Sequence, residues 1–171
     1  MSIRPKRIIL GSTVDLEKGL KGYAYSMTVG SKLFFDSIIN EEGGLRGKEI
    51  ELVTLNDNYE PMLARQNILR FLDEIGVDLI LNPLGSQTIV QYLDLIKEKK
   101  IVVLFPHSGT LAIRDQSVPY VINFQPSDYK EGEVLARHAV EKTSARRFAL
   151  IYQNDSYGIS PRDGALQELK K

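Results

Sequence analysis

Short apolar runs alternate with amphipathic segments along this chain. Six runs predict β-strands, at Arg7–Gly11, Glu49–Leu55, Val77–Leu81, Ile101–Phe105, Tyr120–Phe124 and Arg147–Tyr152. Several of these runs are continuously apolar, which is typical of strands that are buried on both faces of a sheet. Apolar residues at helical spacing between the runs predict five helices, at Tyr23–Ile39, Pro61–Glu74, Ser86–Glu98, Asp128–Glu141 and Ser160–Lys170.

This alternation predicts an α/β fold, in which a parallel sheet carries helices on both faces through right-handed crossovers. Ligands of such sheets bind beyond the carboxyl ends of the strands. One soft boundary lies at Gln125-Pro126-Ser127, where a predicted strand leads into a helix. We therefore expect a first lobe at residues 1–124 and the beginning of a second, similar lobe at residues 125–171.

Composition and charge narrow the classes of function. The 171 residues carry 22 Lys and Arg against 22 Asp and Glu, so no basic excess favours nucleic acid as a partner. No apolar run of about 18 residues predicts a membrane span. Cysteine is absent, which excludes disulfides and a cysteine nucleophile. No apolar signal core precedes the first strand, so either the protein stays inside the cell or the chain begins at the mature end of an exported protein.

Four segments that follow predicted strands carry hydroxyls, amides and small residues. They are Thr13–Tyr25, Asn82–Thr88, Pro106–Thr110 and Gln153–Gly158. The predicted helix that begins near Ser86 offers a partly positive end that suits a carboxylate. The same residue types are also ordinary in turns, so no single loop defines a site.

The sequence gives only weak indications of catalysis or metal binding. As a general base, His107 would need an orienting carboxylate and a nucleophile, for which Asp57, Ser86 and Ser108 are present, but no Gly-x-Ser-x-Gly elbow accompanies the serines. His107 and His138 do not have the spacing of metal ligands. Asp57 is better explained by a turn before the next helix than by a calcium loop. We therefore predict no catalytic residue, no metal site and no cofactor.

Five motifs, taken in order and spacing over nearly the whole chain, resemble a known family. They are Ile38–Gly47, Asn56–Pro61, Leu84–Ser86, Phe105–Gly109 and Tyr152–Gly158. Together they are similar to the N-terminal part of type I periplasmic solute-binding proteins of the branched-chain amino-acid (Leu/Ile/Val)-binding kind. The chain is about half as long as members of that family.

The resemblance implies a fold and a function. Two α/β lobes would close on a small polar ligand, most often an amino acid, and pass it to the membrane permease of an ABC importer. The protein would be periplasmic or extracellular and would have no enzymatic activity. Two alternatives stay open: a ligand-sensing domain of a receptor or signalling protein with the same fold, and an intracellular flavodoxin-like or hydrolase-like enzyme.

The resemblance also implies which residues hold the ligand. Ser86 would offer its hydroxyl and backbone N–H to a carboxylate, and Ser108 and Thr110 would supply further contacts. Tyr157 would approach from the second lobe. Tyr23, in the loop after the first strand, would line the pocket.

One departure from the family pattern concerns His107, which stands where the family usually has a small residue. We count His107 among the ligand-binding residues and expect a ligand smaller or more acidic than leucine.

The last predicted strand lacks neighbours in this chain. Phe148, Leu150 and Ile151 would be apolar residues on an open strand, and such edges pair with other chains. We therefore expect the chain to self-associate through residues 147–152 or to be mobile there.

Overall fold

The computed structural model describes residues 7–171, and its centre is a parallel five-stranded sheet in the order β2-β1-β3-β4-β5. The longest strands pair over eight residues each, and the other three are short. Their bounds are Arg7–Val14 (β1), Glu49–Asn56 (β2), Leu79–Leu81 (β3), Val103–Leu104 (β4) and Val121–Ile122 (β5). The all-parallel sheet confirms the predicted fold class, although the third, fourth and fifth strands are shorter than their apolar runs.

Helices cover both faces of the sheet. α1 spans Lys21–Phe34 and continues as a π-helical segment to Asn40, and α2 spans Pro61–Arg70 and continues similarly to Ile75. The predicted helix at 86–98 forms in pieces, with α3 at Ser86–Ile89, a 3₁₀ turn at Val90–Tyr92 and α4 at Leu93–Lys97. No helix within residues 7–171 is both long and apolar enough to cross a membrane.

The hydrophobic core divides at the sheet. On one face, residues of α2, α3 and α4 pack against Ile80 and Val103 of the central strands. On the other face, Phe35 at the end of α1 packs against Leu10, Leu52 and Leu81. Strands whose residues contact helices on both sides cannot alternate between apolar and polar residues, which explains their continuous apolar runs.

Most of the apolar residues whose helical spacing predicted the first helix are not buried. Leu33, Phe34 and Ile38 are exposed in the structure, whereas Ala24 is the buried residue of α1. The helix therefore contacts the sheet through its N-terminal half and through Phe35, which the periodicity did not single out.

The C-terminal part is a pair of packed helices, α5 at Asp128–Lys142 and α6 at Ser156–Leu169. Ser127 caps α5 by accepting a hydrogen bond from the N–H of Lys130, and Asp155 caps α6. The predicted start of α6 at Ser160 was wrong by four residues, because Asp155 is the N-cap and Pro161, which favours a helix start just before it, lies inside α6 instead.

The strand predicted at Arg147–Tyr152 does not form. These residues have no pairing partner among the strands of residues 7–171, and Ile151 is fully exposed. A strand is defined by hydrogen bonds to a neighbour, so an apolar run without a neighbour stays irregular.

Candidate ligand-binding site

The loop after β1 is fixed by a buried carboxylate. Asp15 is fully buried and accepts three backbone hydrogen bonds, from the N–H groups of Glu17, Lys18 and Leu20. This arrangement turns the chain immediately beyond the strand, so that α1 begins at Lys21. Tyr23 is consequently placed at the carboxyl edge of the sheet.

Tyr23 and His107 contact each other across this edge. The Tyr23 hydroxyl lies 2.6 Å from Nδ1 of His107, and the two rings meet edge to face with centroids 5.3 Å apart. Burial lowers the pKa of His107, so its neutral form is favoured. The pair therefore joins the first turn of α1 to the loop after β4 without adding a formal charge.

Ser86 and Ser108 lie at the bottom of the site. Both are buried, and their hydroxyl oxygens are 2.8 Å apart. Ser86 is the first residue of α3, whereas Ser108 follows β4. Since α3 is a single turn, the dipole support that a long helix would give to a carboxylate at Ser86 is much reduced.

Thr110 is placed differently from the other predicted site residues. Its hydroxyl caps the short 3₁₀ turn at Leu111–Ile113 by accepting a hydrogen bond from the N–H of Ala112. It is buried and does not line the cavity that Tyr23, Ser86 and Ser108 border. Its side chain supports the loop that carries Ser108.

Tyr157 approaches from the C-terminal helix pair. Asp155 accepts hydrogen bonds from the N–H groups of Tyr157 and Gly158, which fixes the first turn of α6. Tyr157 is about half exposed and lines the cavity.

Tyr59 is a lining residue that the sequence reasoning did not select. Asn58 and Tyr59 both have positive φ values, of 53° and 57°, and Asp57 stabilises this turn by accepting a hydrogen bond from the N–H of Tyr59. The turn lays the Tyr59 ring on Gly85, where a Cβ atom would overlap it. Burial raises the pKa of Tyr59 to about 12, with smaller contributions from Asp155 and Tyr157. The sequence offered one sign of this role, namely that Tyr59 directly follows Asn58, a residue type that favours turns.

Asp128 is a second residue that the sequence reasoning missed. It is 8% exposed, and its N–H donates to the carbonyl of Gly109 over 2.8 Å. Burial raises the pKa of the Asp128 carboxyl, Glu131 raises it further, and Arg114 opposes the shift. Sequence reasoning missed Asp128 because acidic residues are common in the first turn of a helix, where they need no further role.

These side chains surround a cavity of about 600 Å³ at the carboxyl ends of the strands. Its lining comes from the segments that follow β1, β2, β3, β4 and β5 and from the beginnings of α5 and α6. The residues are Gly19, Leu20, Tyr23, Tyr59, Leu84, Gly85, Ser86, Gln87, His107, Ser108, Gly109, Gln125, Asp128, Gln153 and Tyr157. The volume lies in the usual range of small-molecule pockets, and the lining mixes aromatic surface with a few convergent polar groups.

No group of three or more metal-ligating side chains occurs in the described part of the chain. The polar groups that the cavity offers to a ligand are hydroxyls, amides, the His107 ring and one carboxylate, beside its aromatic rings.

The periplasmic binding protein family model matches residues 19–171, which is most of the chain. The chain therefore belongs to the periplasmic binding protein family, and its sheet and helices are those of a type I lobe.

Individual relatives agree with this assignment. The "Amino acid binding protein" of Pseudomonas aeruginosa is 24% identical over 133 residues, which cover 78% of this chain and 36% of that protein. The structure of a "possible leucine/isoleucine/valine-binding protein" from Rhodopirellula baltica matches 99% of this chain and 46% of its own, with a TM-score of 0.88 and 24% identity. A fatty acid ABC transporter substrate-binding protein from Thermomonospora curvata matches with a TM-score of 0.81 and 23% identity, over 96% of this chain and 41% of its own. The chain thus spans less than half of the length of these proteins, and proteins of this fold are named for chemically different ligands.

Proposed function

We propose that this chain is part of an extracytoplasmic solute-binding protein that captures an amino acid for an ABC importer. The observation that carries the proposal is the convergence of the segments after five strands and of the beginnings of two helices on one cavity of about 600 Å³. Parallel α/β sheets bind ligands at this edge, and family membership makes a small solute the expected occupant.

The candidate contacts divide between two poles of the cavity. Ser86 and Ser108 supply paired hydroxyls at the buried end, where they suit a ligand carboxylate. Tyr23 and His107 form a wall on one side, and Tyr157 faces the cavity from α6. Thr110 acts in this scheme through the loop that it caps.

The wider role follows from the family. Periplasmic binding proteins act outside the cytoplasm and hand their ligand to a membrane permease, and we extend both properties to this chain. We also propose that the protein has no enzymatic activity. The hydroxyls of Ser86 and Ser108 are hydrogen-bonded to each other, and within residues 7–171 the His107 ring is hydrogen-bonded to Tyr23 and to neither serine, so no base activates a nucleophile.

We further propose a division into two lobes at residues 124 and 125. The sheet ends with β5 at Ile122, and Arg114 braces the connection by donating to the carbonyls of Gln125 and Pro126 at 2.7 and 2.9 Å. Residues 125–171 then belong to the beginning of a second lobe, which faces the first across the cavity through Gln153 and Tyr157.

Replacement of the buried serine tests the function. We expect Ser86→Ala to weaken the binding of L-leucine by about 1.5–3 kcal/mol, or roughly tenfold or more, because a hydrogen bond to a charged group is lost. Binding is measured from amide chemical shifts in an NMR titration, which is suited to the weak affinity expected of an open cavity.

Ser26→Ala is the matched control, since Ser26 is exposed on α1 and its hydroxyl bonds to the carbonyl of Gly22. It should bind leucine as the unchanged chain does. Equal affinities of the Ser86→Ala variant and the unchanged chain would show that Ser86 does not hold the ligand. Shifts confined to residues outside the cavity for every common amino acid would contradict the proposed function.

A further inference from the structure

His107 is held in a defined position at the wall of the cavity. Its backbone N–H donates to the carbonyl of Pro83 over 2.9 Å, and its carbonyl accepts from the N–H of Gly85 over 3.2 Å. Its ring meets the edge of Tyr23, and the ring of Phe124 lies beside it with centroids 6.5 Å apart. The imidazole is therefore oriented by its backbone and by two neighbouring rings before any ligand binds.

The contact with Tyr23 determines which nitrogen of the imidazole carries the proton. The Tyr23 hydroxyl lies 2.6 Å from Nδ1 of His107. An N–H donor holds its acceptor at about 2.7–3.2 Å and an O–H donor at about 2.5–3.0 Å, so the hydroxyl donates and Nδ1 accepts. Burial lowers the pKa of His107 and favours the neutral ring, whose single N–H is then at Nε2.

The Nε2–H of His107 is a hydrogen-bond donor without a partner in the described part of the chain. No hydrogen bond within residues 7–171 uses this nitrogen, and it is not shut off from solvent. Since His107 lines the cavity, the donor is available to a bound ligand. A ligand that covers this N–H without accepting from it would remove its hydration and give nothing in return.

The charges of the cavity decide which acceptor suits this donor. Among the lining residues that the structure describes, Asp128 is the one with a formal charge at neutral pH, and none is a lysine or arginine. A ligand side chain that ends in a carboxylate would be desolvated without a cation to pair with. A neutral carbonyl group can accept from His107 without that cost.

Two glutamines offer the complementary acceptors. The side-chain N–H groups of Gln87 and Gln153 donate to the carbonyl of Tyr59 and to the carboxylate of Asp155. Their amide oxygens have no hydrogen-bond partner within residues 7–171 and belong to residues that line the cavity. A group that has both a carbonyl oxygen and N–H donors matches this combination.

We propose that the Nε2–H of His107 binds the side chain of the ligand, and that the cavity prefers an amino acid whose side chain ends in a carboxamide over one whose side chain is aliphatic or acidic. This inference rests on the proposed function and names the class of side chain. It replaces the expectation of a more acidic ligand, and it makes His107 and the tyrosine that orients it determinants of specificity.

Three amino acids of one shape test the preference on the unchanged chain. The side chains of L-leucine, L-asparagine and L-aspartate branch at the same atom and end in two methyl groups, a carboxamide and a carboxylate. Amide shifts of the cavity residues are followed by NMR at pH 7. We expect asparagine to bind about tenfold or more tightly than either of the others, because leucine leaves the His107 donor unpaired and aspartate adds an uncompensated charge.

The ring nitrogens of His107 give a second readout. Long-range proton–nitrogen NMR spectra distinguish a protonated ring nitrogen from an unprotonated one, and we expect the proton on Nε2 and a shift of this nitrogen when asparagine binds. Tyr23→Phe removes the donor to Nδ1, so it should let both nitrogens share the proton and reduce the preference for asparagine. A proton on Nδ1 in the unchanged chain would overturn the assignment of the donor.

His107→Phe then assigns the preference to this residue, since it keeps an aromatic ring and removes the N–H. The variant should bind asparagine no more tightly than leucine. His138→Phe is the matched control, because His138 is the other histidine of the chain, is exposed on α5 and does not line the cavity. It should keep the full preference for asparagine.

The outcomes separate this inference from the proposed function. If leucine shifts the cavity residues and asparagine does not bind about tenfold more tightly, the donor role of His107 is wrong while amino-acid binding stands. The same holds if His107→Phe keeps the preference. If none of the three amino acids shifts the cavity residues, both the inference and the amino-acid function are overturned. The comparison of ligands needs no variant, so a folding defect of His107→Phe cannot leave the preference unanswered.

Discussion

At the scale of single residues, the most unusual group is Asp57. It is fully buried, donates its backbone N–H to the carbonyl of Val14, and accepts hydrogen bonds from the hydroxyl of Thr13 and the N–H of Tyr59. Burial raises its pKa to about 6 in spite of these two hydrogen bonds. The turn that places Tyr59 in the cavity is thus built on a carboxylate that is costly to ionise.

This shift predicts a pH dependence of stability. The folded state holds the Asp57 proton between the ordinary pKa of 3.8 and about 6, so the free energy of unfolding should fall as the pH rises through that window. The loss should total about 3 kcal/mol. The free energy of unfolding in urea is measured at pH 4, 5, 6 and 7 for the unchanged chain and for Asp57→Asn. The difference between the two proteins gives the contribution of Asp57, because the contributions of the other titrating groups cancel. A difference that does not change with pH would show that Asp57 ionises normally.

Gly85 tests the placement of Tyr59. Its φ is +109°, and a Cβ atom would overlap the Tyr59 ring. We expect Gly85→Ala to destabilise the chain by about 1–3 kcal/mol and to weaken leucine binding by displacing the ring. Gly43→Ala is the matched control, because Gly43 has a similar φ of +95° with open space around it. It should lose stability through backbone strain alone and keep its affinity, as measured by urea unfolding and NMR titration. Equal effects of both variants on binding would remove the role assigned to Tyr59.

At the scale of elements, the sequence predicted the sheet well and the packing of the helices less well. The β-branched runs at 7–11 and 49–55 became the longest strands, because their burial on both faces leaves a clear pattern. Leu33 and Phe34 follow a helical period yet are exposed, since periodicity shows which residues share a face and not whether a neighbour covers it. The strand predicted at 147–152 does not form for a similar reason, because strand pairing depends on residues that are distant in sequence.

The candidate site shows the same limit. Five of the six residues expected from the resemblance line one cavity, because each follows a strand of one parallel sheet or begins a helix that faces it, and their binding of a ligand stays a prediction. They are Tyr23, Ser86, His107, Ser108 and Tyr157. Tyr59 and Asp128 were not predicted, since their roles depend on contacts with Gly85 and Gly109 that no local pattern encodes.

Close helix packing can be tested at α5 and α6. A Cβ atom on Gly164 would overlap the carbonyl oxygen of Tyr129, so the two helices approach at a glycine. We expect Gly164→Ala to separate them and to lower the free energy of unfolding by about 1–3 kcal/mol. Gly30→Ala lies inside α1 with open space around it, and should stabilise the chain by about 0.5–1 kcal/mol through helix propensity. Denaturant unfolding of both variants measures the contrast. A stabilising effect at both glycines would mean that α5 and α6 are farther apart.

At the scale of the whole molecule, apolar surface is unevenly distributed. The sheet of residues 7–122 encloses a core on both faces, whereas the C-terminal helix pair leaves Phe148, Leu150 and Ile151 exposed. These side chains border a second cavity of about 360 Å³ between α5 and α6. Apolar residues on an extended segment without strand partners form a surface that favours association.

We propose that the 171-residue chain self-associates through residues 147–152. Sedimentation velocity over a hundredfold range of concentration should show a monomer that gives way to a larger species, and amides of this segment should exchange quickly in the dilute monomer and slowly in the associated form. Ile151→Lys should abolish the association, because it places a charge at the most exposed apolar position. Ile122→Lys is the control, because Ile122 is also exposed and lies on β5, the edge strand that could associate instead. This variant should leave the association intact. If Ile122→Lys abolishes the association and Ile151→Lys does not, the interface lies at β5. If the amides of residues 147–152 exchange slowly in a monomer at high dilution, the segment is covered within its own chain.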